Sequence, residues 1–136
     1  MQIVPRYGTA FLVAHGVVAL LHEIAHRRLP VSLPLLNYSI AYAVVAILPV
    51  VAMVLLWTSR RRAGVWILLL SMAGSLVYAG LYHFVLNSPD HVSRTPEGSW
   101  RPVFQITAVL MLVLEAFGCW LGYWMLGRLK EMPASA

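Results

Sequence analysis

The sequence predicts an all-α integral membrane protein, one domain built as an up-down-up-down bundle of four transmembrane helices with both termini cytoplasmic. Three observations lead there. The composition is 60% hydrophobic and 11% charged, with a mean hydropathy of +0.76, whereas soluble domains are about 45–50% apolar and about 25% charged. Four stretches reach the roughly 20 apolar residues that a bilayer-crossing helix needs. Trp57, Trp66, Trp100 and Trp124 fall near the ends of those stretches, where amphipathic rings settle at the membrane interface. Beta-barrel alternation is absent, which leaves helices as the spanning element.

The first span is expected over about residues 8–26 and stops at Arg27, Arg28, Pro30 and Pro34. It lacks the short neutral core and small-residue cleavage site of a signal peptide, so it is expected to remain in the mature chain. The second is expected over about 38–58, with Pro49 in its middle to kink it or free a carbonyl. Thr58, Ser59 and the Arg60–Arg61–Arg62 run separate it from the third, over about 64–86. An outer loop, 87–102, holds Pro89, Asp90, Pro96, Glu97 and Gly98, and the fourth span covers about 103–127. Arg6, Arg60, Arg61, Arg62, Arg128 and Lys130 lie on one side, against Arg27, Arg28, Arg94 and Arg101 on the other. The positive-inside rule places the larger set in the cytoplasm and the 87–102 loop outside, in a plasma or inner membrane. The arginine run also offers contact to anionic lipid headgroups.

The formal charge of +5 is scattered around apolar segments and forms no stripe for nucleic acid. A single cysteine, Cys119, excludes an internal disulfide and reads as a packing residue. The methionines at 53, 72, 111 and 125 sit in different spans and also read as packing. Ser71, Ser75 and Ala79 recur every four residues on the third span, and Gly118 and Gly122 make a GxxxG on the fourth. Such faces allow close helix approach, either inside the monomer or in a homo-oligomer or larger membrane complex.

Ionisable groups inside a span are costly, at about 2.5–3.5 kcal/mol for Lys, Arg or Asp at its centre. The chain nevertheless places His15, His22, Glu23 and His26 on the first span, His83 on the third and Glu115 on the fourth. Positions 15, 22 and 26 share one helical stripe, and Glu23 projects about 100° away from His22. At 1.5 Å per residue, His26 and His83 come level near the outer leaflet, His22 falls level with Glu115, and His15 stands alone. His91 and Asp90 lie just above His83 in the outer loop.

Three chemistries compete for this set. Imidazoles from His22, His26 and His83 with the Glu115 carboxylate make a ligand set for Zn, Cu or Fe, with His91, Asp90 and His15 as weaker candidates. A redox, oxygenase-like or metal-handling role would follow. The same histidines could instead ligate haem b between spans, with Gly80 leaving room beside His83. Third, His22-Glu23-Ile24-Ala25-His26 fits HExxH and resembles the motif of membrane zinc metalloproteases over these five residues. That resemblance implies Glu23 as the catalytic base and Asp90 or His83 as third ligand, since no aspartate lies in a span. Against these stand a proton path along His15, His22 and His26, and a non-catalytic membrane subunit whose His and Glu residues are structural.

Overall fold

The computed structural model describes residues 2–131, and it is all-helical. Four helices are long and apolar enough to cross a membrane: α1 (Ile3–Arg28), α2 (Leu35–Leu56), α3 (Arg61–Val85) and α4 (Arg101–Glu131). They start earlier or end later than hydropathy alone indicates. Arg6, Arg27, Arg28 and Arg128 lie within helical backbone, because a long cationic side chain can reach the interface without breaking the helix. Conversely, α2 ends at Leu56 rather than 58, where the Thr58 hydroxyl bonds the Leu55 carbonyl at 2.9 Å and turns the chain.

Pro49 does disturb α2, through a π-turn over Ala43–Ile47. There the Leu48 N–H reaches back to the Ala43 carbonyl. The next amide in that register would be Pro49, which has no N–H to offer the Val44 carbonyl. Ser71 on α3 supplies the missing donor, its hydroxyl 2.5 Å from Val44 O. A second π-turn, Leu81–Val85, closes α3 and contains His83. The His83 carbonyl, released from the helix ladder, accepts the Val92 amide at 3.0 Å and ties the outer loop to α3.

Helices α1 and α4, α4 and α3, and α3 and α2 pack along much of their lengths, while α1 meets α2 mainly over Leu48–Leu56. Contacts climb the bundle in layers. Gly8 abuts Leu56 and Met125, and Gly118 abuts Phe11 and Met72. Above them lie His15 with Glu115, then His22 with Thr107, then His26 with Asp90. The Gly8 end is a dense apolar core including Phe11, Ala52, Leu56, Leu68, Met72 and Met125. Polar side chains collect at the opposite end.

The small-residue faces serve this packing. Ser71, Ser75 and Ala79 are buried, and Gly118 and Gly122 face Met72 and Leu69 inside the chain. All five are buried in contacts within the chain.

Candidate functional site

Three of the expected histidines converge at the far end of the bundle. His22 and His26 lie one turn apart on α1, and the π-turn brings His83 across from α3. The ring centroids of His22 and His83 are 5.0 Å apart, and those of His22 and His26 5.9 Å. Phe104, fully buried on α4, packs against all three rings at 4.7–5.5 Å. It belongs to a small apolar cluster with Ala25, Leu29 and Val31.

The carboxylate at this site is Asp90, and the expected fourth ligand Glu115 is elsewhere. Asp90 comes from the outer loop and is only 2% exposed. Its Oδ1 accepts from His26 Nε2 at 2.6 Å, and its backbone carbonyl accepts from His83 Nδ1 at 2.9 Å. Oδ2 lies 3.4 Å from the same His83 nitrogen. Burial pushes the Asp90 carboxyl up, but the His26 hydrogen bond and the nearby imidazoles outweigh it, holding the group below its ordinary value.

These partners define which ring nitrogens remain available. The Thr107 hydroxyl donates to the Val103 carbonyl at 2.7 Å, so its oxygen accepts from His22 Nδ1 at 2.9 Å. The carbonyl of Asp90 can only accept, so His83 also donates through Nδ1. In the neutral rings, Nε2 of His22 and of His83 then carry the lone pairs, and His26 keeps its own on Nδ1. Orientation of an imidazole by a hydrogen bond to its other nitrogen is the arrangement found around histidine ligands.

Glu115 is level with His15, one layer below. It accepts a hydrogen bond from Ser75, and its Oε1 lies 3.9 Å from His15 Nε2, with both side chains fully buried. Both His15 ring nitrogens and Glu115 Oε2 have no hydrogen-bond partner among the described residues. The expected His22–Glu115 level fails because side-chain packing sets the α1–α4 register. Distances measured from where hydropathy falls off miss that offset. We predict that His15→Leu or Glu115→Leu alone lowers stability by about 1–3 kcal/mol, by leaving the other group buried without the 3.9 Å electrostatic contact between them. The double variant should recover most of that loss, since an apolar pair of similar volume replaces a buried polar pair well. Thermal unfolding in one detergent measures the cycle, and additive losses would refute the coupling.

Glu23 does not face the imidazoles. Its Oε1 accepts from Arg27 Nε and from the Tyr42 hydroxyl, each at 2.6 Å, joining α1 to α2. The HExxH spacing is present in sequence, but its acidic residue is engaged on another helix face, as the 100° separation requires. His91 also stays apart, its Nδ1 bonded to the Ser93 amide and hydroxyl at 3.2 and 2.8 Å. Among the described residues, no group of three or more His, Cys, Asp or Glu side chains is placed to hold a metal ion.

Thr107 and Phe104 escaped the sequence reading, although both lie on the α4 stripe that carries Glu115. A threonine or phenylalanine on an apolar helix gives no signal until the facing histidine is known. A cavity of about 410 Å³ runs beside the cluster, lined by His22, His26, His83 and Asp90 at one end and by Leu12 and Met53 at the other. The chain matches no protein-family model, no curated protein and no solved structure.

Proposed function

We propose that this chain is a membrane metalloprotein in which His22, His26 and His83 bind one metal ion, with Asp90 orienting the rings or completing the set. The bundle runs up-down-up-down with both termini cytoplasmic, so the centre lies near the outer leaflet of the cell membrane. Rising positions on α1 meet falling positions on α4, in support of that topology. Arg6, the Arg60–Arg62 run, Arg128 and Lys130 outnumber the cations at the other end, in support of the orientation.

The observation that carries the metal reading is the convergence of three oriented imidazoles. Rings bound to one tetrahedral ion through bonds of about 2.0–2.1 Å stand roughly 5 Å apart, centroid to centroid. The His22–His83 and His22–His26 separations are 5.0 and 5.9 Å, near that spacing for the two pairs that share His22. Nitrogen-rich coordination suits Zn, Cu or Fe. A compact ion fits this contact better than haem b, because His22 and His83 meet edge to face and leave no slot for a macrocycle between them. With Glu23 engaged by Arg27 and Tyr42, redox, oxygenase-like or metal-handling chemistry is a better match than HExxH proteolysis.

Elemental analysis and an absorption spectrum of gently purified protein test the proposal. Near-stoichiometric iron, copper or zinc is expected, and the His22→Ala/His26→Ala double variant should lose it. Protein that stays metal-free after reconstitution with each ion would overturn the reading. One observation favours a second reading, a non-catalytic subunit with a structural polar network: each imidazole already holds a hydrogen-bond partner. On that reading the histidine variants lose thermal stability, while wild type and variant are equally free of metal.

A further inference from the structure

We infer that the cavity between α1 and α2 binds a single-chain lipid, its hydrocarbon tail along the cavity and its polar head against His22, His26, His83 and Asp90. The placement of the head rests on the metal-centre reading, whereas the fit of the tail rests on the cavity alone.

Shape is the first argument. The lining extends from Leu12 to His26 along α1, a rise of about 21 Å. The cavity of about 410 Å³ falls within the range of small-ligand pockets and is drawn out along that length, an elongated slot that suits an extended chain. The width is made by small residues: Gly16 and Ala19 on α1 face Ala41 and Ala46 on α2. A Cβ added at Gly16 would meet nothing within 4 Å.

Polarity is the second argument. The deep part is walled mainly by apolar side chains such as Leu12, Pro49, Met53 and Met111, with His15 the one imidazole among them, while His22, His26, His83, Asp90 and Glu23 gather at the other end. Walls that are mostly apolar do not hold water well, and the larger polar group at one end matches a lipid head.

Access is the third. Val13, Leu20 and Val50 line the cavity yet are 54%, 61% and 55% exposed, so its rim lies on the lipid-facing surface. Apart from the Tyr42 bonds to Glu23 and Arg27, the first half of α2 makes little contact with α1, which leaves a lateral opening between them. A lipid in the bilayer reaches this slot by sideways movement, without crossing water.

The test uses the full chain in lipid nanodiscs with a photoactivatable palmitic acid, with attachment sites mapped by mass spectrometry. Labelling is expected on α1 and α2 residues that line the cavity, and excess palmitate should compete while cholesterol should not. Gly16→Leu and Ala46→Phe fill the slot from opposite walls without touching the imidazoles. Each should reduce labelling by about tenfold or more while metal content stays unchanged. Labelling spread evenly over the lipid-facing surface, or insensitive to both variants, would overturn the inference. Cavity labelling of a wild-type protein that stays metal-free after reconstitution would uphold the tail site and remove the metal reading. Bound metal without cavity labelling would do the reverse.

Discussion

Asp90→Asn is expected to leave the bundle folded and to weaken metal binding by about 10–100-fold, the usual cost of losing an outer-shell carboxylate. The amide can still accept from His26 Nε2, where the native contact is 2.6 Å, and the backbone carbonyl that holds His83 is untouched. What disappears is the negative charge that would offset a bound ion and make the imidazoles better ligands. Asp90→Ala goes further. It strands a buried imidazole, at about 1–3 kcal/mol, and loosens the loop that Val92 ties to His83. Competition against a chelator of known affinity measures the first effect, and thermal unfolding measures the second. Unchanged affinity in Asp90→Asn would remove Asp90 from the centre. Acid stability supplies a second readout. Because the folded-state pKa of Asp90 is lowered, its stabilisation is full above the ordinary carboxylate pKa. It is lost as pH falls through the depressed value, and Asp90→Asn should flatten that acid limb.

Gly64→Ala is expected to be among the most damaging single-methyl additions in the bundle, at about 1–3 kcal/mol, with Gly64→Val worse. A Cβ at Gly64 would lie 2.9 Å from the Leu56 amide nitrogen, 3.0 Å from the Ala52 carbonyl and 3.0 Å from Leu55 Cβ. Two of those neighbours are main-chain atoms of α2, so no side chain can swing aside, and α3 must separate from α2. Gly118 makes an instructive comparison. Its Cβ would meet Met72 Cγ at 2.6 Å and Phe11 Cζ at 2.7 Å, yet Met72 is flexible and can yield. Gly118→Ala should therefore cost less than Gly64→Ala, as thermal unfolding of both in one detergent would show. The reverse order would mean that the α2–α3 hairpin is looser than its contacts imply.

The GxxxG spacing drew attention to Gly118 and Gly122, whereas Gly64 stands outside any such motif. Sequence spacing reports that two small residues share a helix face. It does not report how closely a neighbouring backbone approaches, and that is what decides the cost of a methyl group.

The same division runs through the site. Hydropathy and length were enough for four membrane-length helices, because the free energy of burying apolar residues in lipid is local and summed along the chain. The helical period was enough to put His15, His22 and His26 on one stripe and to turn Glu23 away from it. The partners of those side chains were decided by the tertiary structure. Helix register against α4 separated Glu115 from the histidine cluster and gave it His15 and Ser75. A π-turn, which has no composition of its own, aimed His83 inward. Asp90 reached the histidine cluster from a loop, and Thr107 took its role only from the ring facing it. A hydrogen bond or an ion site joins residues far apart in the chain, so its geometry exists only after the helices have packed.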